Sequence, residues 1–181
     1  MEAIARFVRI VDSLNERIGR AVAWLTLAMV LITFLVVILR YVFALGWVAM
    51  QESYVWLHGI VFMAGAGYTL LHDGHVRVDI FYRPRDERHK ARVDFLGSLF
   101  LLLPIVVMVA FVSWPYVLDS WSQLEGSREA GGLQGLFLLK SFLLIYSLLM
   151  GLQGLSLMGR SLLTLRGRPL PPVDEGEEEL L

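Results

Sequence analysis

No cysteine occurs in the 181 residues, which excludes disulfides, thiol catalysis and cysteine-held metals. Charge is also scarce: Asp, Glu, Lys and Arg make up 18% of the chain, against about 25% in an average soluble domain, and they avoid the longest apolar stretches. Histidine is limited to His58, His72, His75 and His89. A b-type haem in a helical bundle needs two axial ligands facing each other from different helices. His58 and His72 fall on the same helix, fourteen residues apart, about 21 Å of helical rise, so they cannot grip one iron within one chain. No cofactor and no metal is expected. No phosphate loop or nucleophile constellation is present, and no nucleic-acid partner is expected. The net charge of −1 is uninformative, because in a chain of this kind local asymmetry of basic residues carries the information.

What is abundant is apolar sequence, 56% of the chain. A bilayer core is crossed by about 20 apolar helical residues, and four stretches qualify, at about 21–39, 53–71, 95–118 and 133–158. Backbone groups have no water partner in lipid, so such runs are helical. The fold class expected is therefore an all-α membrane protein with four transmembrane helices. The first run is too long, and too far from the start, for a cleaved secretory signal, and reads as a retained helix. Pro104, inside the third run, lacks an amide donor and should kink that helix. No long internal repeat divides the chain into halves.

Thirteen basic residues lie before the first run, between the second and third, or after the fourth, whereas the other two loops carry only Arg40 and Arg128. The positive-inside rule then puts both termini and the middle loop in the cytoplasm, an N-in/C-in topology. Residues 1–20 form an amphipathic segment, with Ile4, Phe7, Val8, Val11, Leu14 and Ile18 at helical spacing and Arg6, Arg9, Ser13, Glu16 and Arg17 mostly opposite. Such a segment either lies in the headgroup region or extends the first helix into water. Residues 21–158 form the transmembrane domain. Residues 159–181 form a cytoplasmic tail, proline-rich and then acidic, expected to be disordered.

Glu52 opens the second helix and Arg40 ends the first, at the same boundary. The two either pair across the short loop or reach separately into headgroups and water. Lys140, some seven residues into the fourth run, either snorkels or finds an acid, for which Glu52 is a candidate. Small residues let helices approach closely in lipid; Gly59 and Ala66 share a face with Glu52, and Ser147, Gly151 and Gly154 form another seam. Just past the second run, Gly74-His75-Val76-Arg77-Val78-Asp79 alternates polar and apolar residues, an anchored turn around Arg77 and Asp79. Trp47, Trp56, Trp114 and Trp121 fit an interfacial aromatic belt.

Four features together resemble the small membrane subunit, the DctQ-like family, of tripartite ATP-independent periplasmic (TRAP) transporters. They are Leu39-Arg40-Tyr41-Val42-Phe43, Gln51-Glu52 at the start of the second run, His75-Val76-Arg77-Val78-Asp79, and a fourth run with Leu139-Lys140 and Leu152-Gln153-Gly154. The resemblance covers about residues 10–160. It departs where a proline is expected soon after Lys140, since Ser141 and Phe142 stand there. The resemblance implies a non-enzymatic permease subunit in a bacterial inner membrane. Its implied partners are a large membrane subunit, which carries the substrate and ion sites, and a periplasmic binding protein that delivers an organic acid such as a dicarboxylate; uptake is ion-coupled symport. Under it, Arg40, Glu52, His75, Arg77, Asp79 and Lys140 are structural or subunit-interface candidates. Rival readings are a self-contained proton-coupled transporter, a haem-binding anchor of a redox complex, and the small subunit of another tripartite carboxylate transporter family.

Overall fold

A computed structural model of the chain describes residues 1–76, 82 and 86–171. Among these residues every regular element is helical: α1 Glu2–Val42, α2 Val48–Leu71, α3 Glu87–Gly97, α4 Leu103–Ser122 and α5 Leu136–Leu165. A π-helical turn, Ser98–Leu102, joins α3 to α4, so Glu87–Ser122 is one continuous helical stretch. Four helical stretches are long and apolar enough to cross a membrane.

The termini of these helices follow from local chemistry. α1 runs unbroken for 41 residues, about 61 Å at 1.5 Å per residue, straight past residue 20, where the amphipathic segment was read to end. Gly19 alone is too weak a breaker, since one glycine costs only about 1 kcal/mol relative to alanine. Asp86 caps α3 by accepting from the His89 amide at 3.2 Å. Gly135 (φ 106°) turns the chain into α5, a left-handed conformation that glycine adopts without steric cost. Leu133 to Gly135 thus belong to the preceding loop. At the other end α5 continues to Leu165, past residue 158.

Pro104 acts where a local distortion was expected, through a widened turn. The Leu103 amide reaches back to Ser98 O, a five-residue step characteristic of π geometry. Pro104 has no amide to extend that pattern, and α4 resumes with it in the first turn. Pro115 lies inside α4, a second site where the hydrogen-bond ladder lacks a donor.

α5 is central and contacts α1, α2, α3 and α4, while α1 and α4 do not touch. Ala66 of α2, Val106 of α4 and Met150 of α5 form the buried apolar cluster. Close approach depends on missing side chains. A Cβ at Gly154 would stand 2.8 Å from Leu102, and one at Gly159 2.8 Å from Val8. One at Gly19 would overlap the ring of Tyr68, and one at Gly67 the amide of Asn15.

The outer surfaces are strongly apolar. Trp24 is 73% exposed, Phe34 64% and Phe111 81%. Water would penalise so continuous an apolar surface; a bilayer requires it.

Candidate functional site

The polar side chains gather at the two ends of the bundle. Arg20 and Arg40 on α1, Glu52 and His72 on α2, and Lys140 and Arg160 on α5 are each twenty residues apart. Twenty residues rise about 30 Å, the thickness of a bilayer core. These three helices therefore place an ionisable side chain at or next to each margin.

At the Lys140 end, residues 123–135 fold back over the start of α2. The Leu133 amide donates to Glu52 Oε2 at 2.6 Å, and the Ser127 hydroxyl donates to Glu52 Oε1. The loop is closed on itself by the Ser127 amide, which donates to Leu133 O at 2.9 Å. Glu52 is thus a clamp for the loop. Of the two alternatives left open for Glu52, the pairing with Arg40 is not formed: Arg40 is exposed, and both Glu52 oxygens face the 123–135 loop. Arg40 has solvent or headgroups within reach of its long side chain, so nothing drives it back to an acid already satisfied.

Lys140 does find an acid, Glu125 rather than Glu52. Ser120 Oγ donates to the same carboxylate at 2.7 Å, and the Lys140 ammonium sits 4.0 Å from the Tyr116 ring centroid, a cation–π contact. Trp121 Nε1 donates to Ser141 Oγ at 2.8 Å. The hydrogen bond from Lys140, followed by that from Ser120, holds the Glu125 carboxyl below its ordinary value of 4.5 against a smaller upward push from desolvation. A carboxyl with a depressed folded-state pKa stabilises the fold fully above its unfolded value and loses that contribution as pH falls through the folded value. Purified wild-type protein is therefore expected to have a higher unfolding temperature than Glu125→Gln above about pH 4.5, with the difference narrowing on further acidification. Thermal unfolding of both proteins across pH 3–7 checks this.

At the Arg160 end, α1 is tied to α5 by a buried polar network. Asp12 is 3% exposed. Its Oδ1 accepts from Ser156 Oγ at 2.6 Å and Gln153 Nε2 at 3.0 Å. Its Oδ2 accepts from Arg160 Nη2 at 2.6 Å and Nε at 2.9 Å. Asn15 Nδ2 donates to Gln153 Oε1 at 2.8 Å. One turn along, Glu16 bridges Arg20 Nε at 2.7 Å and His72 Nε2 at 2.6 Å. The tie of α1 to its neighbours therefore includes a polar network beside the apolar contacts of Val8 and Val11. The N-terminal third of α1 buries Val8, Val11, Asp12, Asn15, Glu16 and Gly19, while Phe7, Ile10 and Leu14 are exposed. Glu16, read from the sequence as lying opposite the apolar stripe, is 6% exposed. Three hydrogen-bonding side chains at spacings of three and four share the packing face with Val8 and Val11 of the apolar stripe, because each has a partner on α2, α5 or α1 itself.

The other candidates fall as follows. His75 is exposed and, with Leu70, Tyr82 and Ser98, lines an open groove of about 500 Å³. Arg77 and Asp79 lie outside the described residues, so the anchored turn is not described. Gly59 stands near Leu139, Gly151 near Val106 and Gly154 near Leu102; Ala66 and Ser147 are buried. The sequence reading missed Asp12, Asn15, Glu125 and Ser127. A signal for the first two was present: Asp12, Asn15, Glu16 and Gly19 recur at i, i+3, i+4 and i+7, as do Gln153, Ser156 and Arg160 at i, i+3 and i+7. Facing polar stripes of that kind mark paired helices. Among the described residues no cluster of His, Asp and Glu could hold a metal.

Residues 29–164 match the family model described as "Tripartite ATP-independent periplasmic transporters, DctQ component". No curated protein and no solved structure matches the chain.

Proposed function

We propose that this chain, which belongs to the DctQ family of tripartite ATP-independent periplasmic transporter components, is a static membrane body for the subunit that moves the solute. The observation that carries this reading is where its polar chemistry goes. Asp12, Glu16, Glu52 and Glu125 are each engaged by partners on other elements of the same chain, which leaves them as fasteners rather than as substrate ligands. The large membrane subunit then holds the solute and ion sites, and a periplasmic binding protein delivers an organic acid for ion-coupled uptake. The chain lies in the bacterial inner membrane with both termini cytoplasmic, because the basic residues crowd at the Arg160 end. The Lys140 end, with its loop folded over Glu52, faces the periplasm. A transmembrane body fixed in this way gives a moving partner a surface to slide against.

Co-expression of the three components tests it. Affinity purification through this chain is expected to bring down the large subunit in near-equal amount, without added solute. Recovery of the chain alone from membranes that contain the large subunit would contradict the reading.

A further inference from the structure

One polar side chain is at the wrong place for a helix facing lipid. His58 lies six residues along α2 from Glu52, about 9 Å deeper, and it is exposed. It has no hydrogen bond or ion pair among the described residues. Lipid tails offer no hydrogen-bond partner. A lysine or arginine at this depth could extend its head to the interface, but an imidazole on a single methylene cannot cover that distance. Thr33, across from it on α1, has already satisfied its hydroxyl by donating to Met29 O at 2.7 Å.

His58 sits on the wall of an open groove of about 630 Å³ between α1 and α2, with Val30, Thr33 and Phe34 on one side and Val55 and His58 on the other. Val55, His58 and Phe62 recur at i, i+3 and i+7 and form an outward ridge, as do Val30 and Phe34 on α1; Val55 is 56% exposed and Phe62 69%. Two ridges with a groove between them form the surface into which the ridge of another helix packs. Polar residues in transmembrane segments face protein or water-filled space, so the imidazole selects protein rather than lipid as the occupant.

We propose that the groove between α1 and α2 seats a transmembrane helix of the large subunit, which meets His58 with a hydrogen-bonding carboxylate, amide or hydroxyl. This rests on the scaffold reading above and adds to it the face that is used. The opposite surface, around exposed Phe111 on α4, is left to lipid.

The test uses the full complex in native membranes, with a photo-crosslinking amino acid at position 34, 62 or 111 of otherwise wild-type chain. Adducts with the large subunit are expected from positions 34 and 62, at least tenfold above position 111. In parallel, His58→Leu should lower the amount of large subunit that copurifies at least fivefold, while His58→Gln, which retains a donor and an acceptor, should restore most of it. Equal adducts from the two faces, adducts from 111 alone, or an unchanged yield with His58→Leu overturn the assignment of this face. In each of those cases the wild-type chain still brings down the large subunit. If wild-type chain fails to bring it down, the scaffold reading fails as well.

Discussion

Asp12→Ala is expected to destabilise the protein by about 3 kcal/mol, the low end of what breaking a buried ion pair costs. The low end applies because the Arg160 side chain, 24% exposed, can recover some hydration once its partner is gone. Ser156 and Gln153 have no such recourse; they are 0% and 2% exposed, and each would be left without its acceptor. A loss of that size is a large share of a total stability of about 5–15 kcal/mol. The failure should be local at first, with the N-terminal third of α1 peeling from α5. Exposed Arg6, Arg9 and Arg17 then become readily cleaved by trypsin in detergent, and the unfolding temperature falls. The double substitution Asp12→Leu with Arg160→Leu should be closer to wild type than Asp12→Ala, because no unpaired charge remains. Trypsin time courses and thermal unfolding of the three proteins check this.

Glu52→Ala is the second large effect expected, about 2 kcal/mol from the loss of hydrogen bonds to a charged acceptor. Leu133 N–H and the Ser127 hydroxyl lose their partner together, while the loop keeps its backbone bonds, among them that from the Ser127 amide to Leu133 O, and the Lys140–Glu125 pair. Both donors are half-buried, so water replaces part of what is lost. The expected readout is faster proteolysis within residues 123–135 and a lower unfolding temperature, with Glu52→Gln intermediate. Glu52 stands two residues before Tyr54, which lines the groove proposed for the large subunit, so a fall in copurification is expected to accompany the loosened loop.

How far these features were legible in the sequence depends on the kind of residue. The four spans could be read because lipid imposes a length and a composition that no other environment requires, although Ser53 as a start missed the turn opened by Val48, and residue 158 stopped short of Leu165. The small residues were visible as a spacing. Charged partners were not, because pairing depends on which helices meet. Glu125 stands fifteen residues before Lys140 in a loop whose path is set by Glu52, and nearness in sequence offered only Arg40 and Lys140 as partners for Glu52. Asp12 and Arg160 are 148 residues apart, and only the packing of α1 on α5 brings them together. Glu16 was placed on the polar side by its charge. In the fold it is buried, and the cost of burying its charge is offset because His72 and Arg20 converge on it.

Ion-driven uptake of a radiolabelled organic acid into liposomes is the most direct measure of the central claim. The account predicts no uptake by this chain alone, and uptake when the large subunit and the binding protein are added. Gradient-dependent uptake by the chain alone would contradict it.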